Sequence, residues 1–142
     1  MVDKELIYKH IENMEAALSN LRKHGKVTPR DLQRDMDLLW IVERGLESII
    51  QNLLDISAHL LSSRFKNQWE DYSELIERMG IHGILPEDFA SQIKGMAGFR
   101  NVLVHDYMEV DLSIVSDVIN NRLEDFEGFI KYVVDYLERD KA

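Results

Sequence analysis

The chain has 142 residues, 45% of them hydrophobic, with 2 prolines and 7 glycines, which fits one domain over residues 1–142 and neither a disordered nor a collagen-like chain. It contains no cysteine, which excludes a disulfide scaffold, a thiolate metal site and a cysteine nucleophile. The net charge of −9, from 17 basic and 26 acidic residues, argues against binding nucleic acid through one broad basic face, so such an activity needs a local pocket.

The longest apolar run, from Leu38 to Val42, is far too short to span a bilayer. The stretch from Met1 to Glu5 carries both charge signs and no apolar run, so no secretory signal is expected. A soluble cytoplasmic protein without a membrane partner is the default expectation.

The periodicity predicts helices almost throughout. A first helix runs from about Asp3 to His24, with Ile7, Ile11, Met14, Leu18 and Leu21 along one face. Gly25 suits its stop. Thr28-Pro29-Arg30-Asp31 is a start signal: threonine caps, proline is pre-set for the first helical position, and aspartate suits the positive helix end. The second helix runs on to about Ser63, long enough to be the spine of a bundle. Leu32, Met36, Leu39, Leu46, Ile49, Leu53, Ile56 and Leu60 hold its rhythm. Gly45 within it is a mild weak point, costing about 1 kcal/mol against alanine.

Arg64 to Asn67 reads as a connection, followed by a short helix from about Glu70 to Met79. The stretch from Gly80 to Leu85 is a loop, and Pro86 opens a fourth helix bearing Phe89, Ile93, Met96, Phe99 and Leu103. Asp111 caps a last helical segment from Leu112 to about Arg139, with a break expected near Asn120-Asn121. Ile114, Val118, Leu123, Phe126, Ile130, Val133 and Leu137 form its stripe. The expected fold is an all-α antiparallel bundle of about five helices.

Most polar residues fit a solvated face. There is no H-E-x-x-H, no paired Glu-x-x-His and no glycine-rich phosphate loop, so neither a metal nor a cofactor is expected. His10, His24 and His82 read as surface residues and His59 as a partly buried structural one. Trp40 and Trp69 read as core or interface anchors.

One stretch differs: Phe99-Arg100-Asn101-Val102-Leu103-Val104-His105-Asp106-Tyr107. It gathers a guanidinium, an amide, an imidazole, a carboxylate and a phenol at the end of an apolar helix. Gly95, Ala97 and Gly98 before it are small enough for another backbone to approach. Residue types alone favour a structural account. Arg100 then forms a salt bridge, His105 caps the helix end, and Tyr107 is a half-buried anchor.

The motif carries a resemblance that shifts this weighting. Arg100, four residues, then His105, Asp106 and Tyr107 resemble the R-x4-H-x-Y signature of the HepT-like branch of the HEPN superfamily. The likeness extends over most of the chain, including the long second helix, the turn before Pro86 and the Asp111 start of the last segment. It implies a metal-independent RNase that works as a homodimer and serves as the toxin of a toxin–antitoxin pair. It implies a minimal nucleotidyltransferase as antitoxin partner, which silences the toxin by adding AMP to Tyr107, with assembly into a higher complex open. The expected substrate is RNA, with tRNA and mRNA as candidate classes.

The chemistry suits those residue types. RNA is cut without metal when its 2′-OH attacks the adjacent phosphorus. Histidine suits the proton transfer and arginine the developing charge. Asn101 either bonds the phosphate or holds His105; Asp106 either orients His105 or lies at the surface. Five residues turn an ideal helix through about 140°, so Arg100 and His105 do not share a face. Either the helix loosens before His105, or working pairs form across a dimer. Tyr107, seven residues from Arg100, falls on the Arg100 face if the helix persists, and is expected at the cleft rim. Two other readings compete: a non-catalytic HEPN nucleotide-binding or scaffold partner of a nucleotidyltransferase, and a helical dimer that only mediates protein contacts.

Overall fold

The computed structural model describes residues 2–65, 68–105 and 110–139, with the backbone alone for 104 and 105. Among the described residues it has eight helices and no strand: α1 (Lys4–Arg22), α2 (Pro29–Arg34), α3 (Met36–Arg64), α4 (Tyr72–Ile81), α5 (Glu87–Ile93), α6 (Met96–His105), α7 (Leu112–Asn121) and α8 (Leu123–Arg139). The all-α expectation holds, and the five expected segments are each helical. Three of them are interrupted, which makes eight helices rather than about five.

The first interruption has a local cause. Asp35 takes φ −124° and ψ 98° and accepts a hydrogen bond from the Leu38 N–H at 3.1 Å. A short acidic side chain thus competes for backbone donors and starts α3 afresh. The break shifts the helical phase, so Leu32 is buried while Met36 is 60% exposed. A second break falls at Lys94-Gly95, between α5 and α6. The third, foreseen near Asn120-Asn121, falls at Arg122, whose N–H bonds the Val118 carbonyl at 2.9 Å. Smaller departures occur at starts. The Asp71 carboxylate caps α4 by accepting the Glu74 N–H at 2.8 Å, so that helix begins at Tyr72 and not at Glu70. Pro86 is the cap residue before α5 rather than part of its first turn.

Two start signals act as expected. Thr28 and Asp31 form a reciprocal capping box at α2: the Thr28 hydroxyl accepts the Asp31 N–H at 3.0 Å, and the Asp31 carboxylate accepts the Thr28 N–H at 2.9 Å. Asp111 caps α7 by accepting the Ser113 N–H at 2.9 Å.

Helix α3 is the spine, touching α1, α2, α4, α6, α7 and α8. Helix α1 runs antiparallel to it. Leu21 meets Gly45, His10 bonds Asn52 at 2.8 Å, and the Asp3 N–H bonds His59 Nε2 at 3.0 Å. Gly45 is more than a weak point: a Cβ there would lie 2.7 Å from Leu21 Cδ2, so the missing side chain is what lets the two helices close. The expected stripe of α1 is buried, with Ile7 and Met14 fully enclosed, and that of α8 is buried at Leu123, Phe126, Val133 and Leu137, whereas Ile130 is only partly buried and Phe129, outside the expected stripe, is fully enclosed. Each such side chain contributes about 1.5–3 kcal/mol. Ile114 is the departure on α7, half exposed rather than in the stripe.

The α1–α2 connection is tied down by α7. Asn120 reads the Val27 peptide from both ends: its Oδ1 accepts the Val27 N–H at 2.9 Å and its Nδ2 donates to the Val27 carbonyl at 2.8 Å. The Ser116 hydroxyl donates to the same carbonyl. No helix of the described residues is long and apolar enough to cross a membrane.

Candidate functional site

Helix α6 packs on α3 and α4. Met96 and Ala97 are buried, and Phe99 and Leu103 lie against the core. That face fixes the rest of the helix by rotation, leaving Arg100 half-buried and Asn101 and Val102 exposed.

Arg100 is held on three sides. Its Nε–H donates to Gln51 Oε1 on α3 at 3.1 Å. Its Nη1 donates to Asn101 Oδ1 at 3.3 Å. Its guanidinium carbon lies 5.4 Å from the centre of the Tyr72 ring on α4, within cation–π range. Gln51 is itself oriented, donating from Nε2 to Asp55 Oδ1 at 2.9 Å. Among the described residues no carboxylate pairs with Arg100. The salt bridge allowed for at this position is absent among them, so none of the described carboxylates compensates the Arg100 charge.

Helix α6 continues unbroken to His105. The loosening before His105, one of the two ways round the angular problem, therefore does not occur. Within one chain, positions 100 and 105 of an ideal helix are about 140° apart around its axis. The His105 side chain, Asp106 and Tyr107 lie outside the described residues, and with them the placement of Tyr107 at a cleft rim. The structure brings Asn101 to Arg100. It adds Gln51, Asp55 and Tyr72, which the sequence reading missed. Gln51 and Asp55 are four apart on a helix, but nothing in the sequence connects them to an arginine 49 residues away.

Gly95 and Gly98 are exposed, and a Cβ at either would meet nothing within 4 Å. No backbone among the described residues uses their small size. Trp40 is also no core anchor, being 65% exposed near the start of α3, whereas Trp69 packs partly against the core. One and two turns before Gln51, α3 carries Glu47 and Glu43. Burial, and then the Glu47 charge, push the Glu43 carboxyl above its ordinary pKa.

The other histidines have structural partners or lie at the surface. His10 is half-buried on Asn52 rather than free at the surface, and His59 accepts from the α1 cap as a structural residue. His82 ends α4 and stacks on Phe65 with centroids 4.1 Å apart. Among the described residues no three His, Asp or Glu side chains could hold a metal ion. A wide groove between the α4–α5 turn and α8, lined by Gly80, Pro86, Tyr132 and Asp135 among others, includes none of the residues around Arg100.

An all-helical bundle with an arginine uncompensated among the described residues and, five residues beyond it, a histidine ending the same helix defines a HEPN-type domain. The chain belongs to the ribonuclease HepT-like family, whose model matches residues 14–133. It is 28% identical over 137 residues to the tRNA nuclease HepT of Aphanizomenon flos-aquae, covering 96% of this chain and 92% of that one. It is 31% identical over 136 residues to a putative RNase of Archaeoglobus fulgidus, covering 96% of both. Among solved structures it is similar to the tri-AMPylated HEPN toxin of Shewanella oneidensis, solved in complex with its MNT antitoxin. That fold matches with a TM-score of 0.83 at 24% identity, over 95% of this chain and 99% of the other.

Proposed function

We propose that the chain is the toxin of a toxin–antitoxin pair, a homodimeric endoribonuclease that cuts RNA without a metal ion. The observation that carries this reading is Arg100, half-buried, held by neutral partners and left with its charge uncompensated among the described residues. The nuclease names of its relatives in the HepT-like family support the same reading.

In this mechanism the ribose 2′-OH attacks the adjacent phosphorus as the bond to the leaving 5′-oxygen breaks. His105 moves the protons, taking the hydroxyl proton and protonating the leaving oxygen in turn. Arg100 binds the non-bridging oxygens, where negative charge grows in the transition state. Asn101 braces Arg100 through its Oδ1 and offers its amide N–H to the phosphate. Asp106 orients His105. Because α6 stays helical to His105, the working Arg100 and His105 come from two chains related by a two-fold axis. The open surfaces at Gly95 and Gly98 suit that approach.

The substrate is RNA, with tRNA and mRNA as candidate classes, and the site of action is the cytoplasm. No cofactor takes part. The partner is a minimal nucleotidyltransferase antitoxin, joined in a higher complex, which attaches AMP to Tyr107. The added phosphate competes for Arg100 and the adenosine fills the cleft, so one modification blocks both binding and chemistry.

The test is electrophoresis of total RNA after incubation with the purified chain. Arg100→Ala and His105→Ala should each lose about 10²-fold or more of the cleavage rate while keeping wild-type helix content. EDTA should leave cleavage unchanged. Full cleavage by a folded His105→Ala protein, or loss to EDTA restored by a divalent ion, would overturn the mechanism. A wild-type chain that cuts no RNA favours the non-catalytic partner instead.

A further inference from the structure

We infer that Gln51, oriented by Asp55, and Tyr72 are positioning residues that set the Arg100 guanidinium for the RNA phosphate. The inference rests on the ribonuclease reading above. A long arginine side chain on a helix surface samples many rotamers, and a misplaced guanidinium stabilises the transition state poorly. Here three helices fix it: α6 carries it, α3 supplies the Gln51 acceptor at 3.1 Å, and α4 lays the Tyr72 ring against one face.

The direction of the Gln51 amide matters as much as its position. An amide can turn either end toward a neighbour, and only its oxygen attracts the Arg100 Nε–H. Asp55 accepts hydrogen bonds and does not donate them when ionised. It therefore draws the Gln51 NH₂ toward itself, at 2.9 Å, and turns Oε1 to Arg100. Gln51 takes the Nε–H and Asn101 takes one Nη1 hydrogen. The guanidinium then presents its Nη2 hydrogens and the second Nη1 hydrogen in a fixed direction. Neutrality is the second point. A glutamate in place of Gln51 would also accept from Arg100 but would neutralise it, and the arginine would lose its pull on a phosphate.

The experiment is steady-state kinetics on an RNA oligonucleotide that the wild-type chain cuts, with helix content and melting checked for each variant. Gln51→Met keeps length and helix propensity but removes the acceptor. Its kcat should fall about tenfold with KM within about twofold, because the loss is one of orientation. Gln51→Glu should keep the fold, lower kcat further and raise KM, since it compensates the positive charge. Asp55→Asn should lie between wild type and Gln51→Met, because asparagine tolerates either amide orientation. A purely structural Gln51 would instead be rescued by Met. Wild-type kcat in folded Gln51→Met overturns the inference and leaves the ribonuclease reading intact. If the wild-type chain cuts no RNA, that reading falls, and the hold is read directly from Arg100. The Arg100 Nε–H should then exchange with solvent several-fold faster in Gln51→Met by nitrogen-15 NMR. Equal exchange overturns the positioning role.

Discussion

Removing the Asn120 carboxamide should cost the fold far more than removing that of Asn121 beside it. Asn120 is the sole side chain of α7 that bonds both ends of the Val27 peptide, and Val27 is 2% exposed. In Asn120→Ala the Val27 N–H loses its partner, a stranded buried donor that costs about 1–3 kcal/mol. The Val27 carbonyl keeps the Ser116 hydroxyl, so the second lost bond adds only about 0.5–1.5 kcal/mol. Alanine's better helix propensity returns about 0.5 kcal/mol. The net loss is about 1–4 kcal/mol. With an unfolding entropy of about 2.1 cal/mol/K per residue, a chain of 142 residues loses roughly 3–13 °C in Tm. Asn121 is exposed and among the described residues its side chain bonds only Asp117, at 2.8 Å, so Asn121→Ala should stay within about 0.5 kcal/mol of wild type. Thermal melts followed by circular dichroism, repeated with urea, measure both. An Asn120→Ala protein within 0.5 kcal/mol of wild type, or equal losses for the two variants, would refute the reasoning.

Gly45→Ala should destabilise despite alanine's helix preference. The new Cβ would lie 2.7 Å from Leu21 Cδ2 and 3.0 Å from its Cγ, so the Leu21 side chain, 1% exposed, must shift against its packed neighbours. Overpacking of about 1–3 kcal/mol outweighs the gain of about 1 kcal/mol, and a raised Tm would contradict it. Glu43→Gln should raise Tm at pH 7, because burial and the Glu47 charge raise the folded carboxyl above the ordinary 4.5. The folded state then binds the Glu43 proton more tightly than the unfolded chain, so its stability falls as pH rises from about 4.5 through the folded value. Glutamine escapes that loss; the Tm difference should vanish near pH 4, and a difference independent of pH would argue against it. Under the proposed silencing, intact-mass measurement after incubation with the proposed nucleotidyltransferase partner, ATP and Mg²⁺ should show added AMP that disappears in Tyr107→Phe. Equal labelling of the Phe variant would remove Tyr107 as the control point.

The helices were legible because their causes are local. The apolar faces of α1 and α8 follow from steps of three and four. The Thr28–Asp31 box and the Asp111 cap are settled by partners two or three residues away. The break at Asp35 was not legible, since its apolar rhythm runs on through Leu32, Met36 and Leu39 and no proline interrupts it. Only the competition of one carboxylate for the Leu38 N–H marks it. The arginine and histidine of the site could be read as a motif because they lie on one helix.

What holds Arg100 could not be read that way. Gln51 and Asp55 come from α3 and Tyr72 from α4, and their meeting depends on how those helices rotate and cross against α6. One residue of helical phase is about 100°. By that amount Asn120 faces a buried peptide while Asn121 faces water. The same packing turned Gly45 from a flaw in a helix into the contact that admits Leu21. Periodicity names the face a helix buries; only the packed neighbours decide which polar residue at its margin meets a partner from another helix.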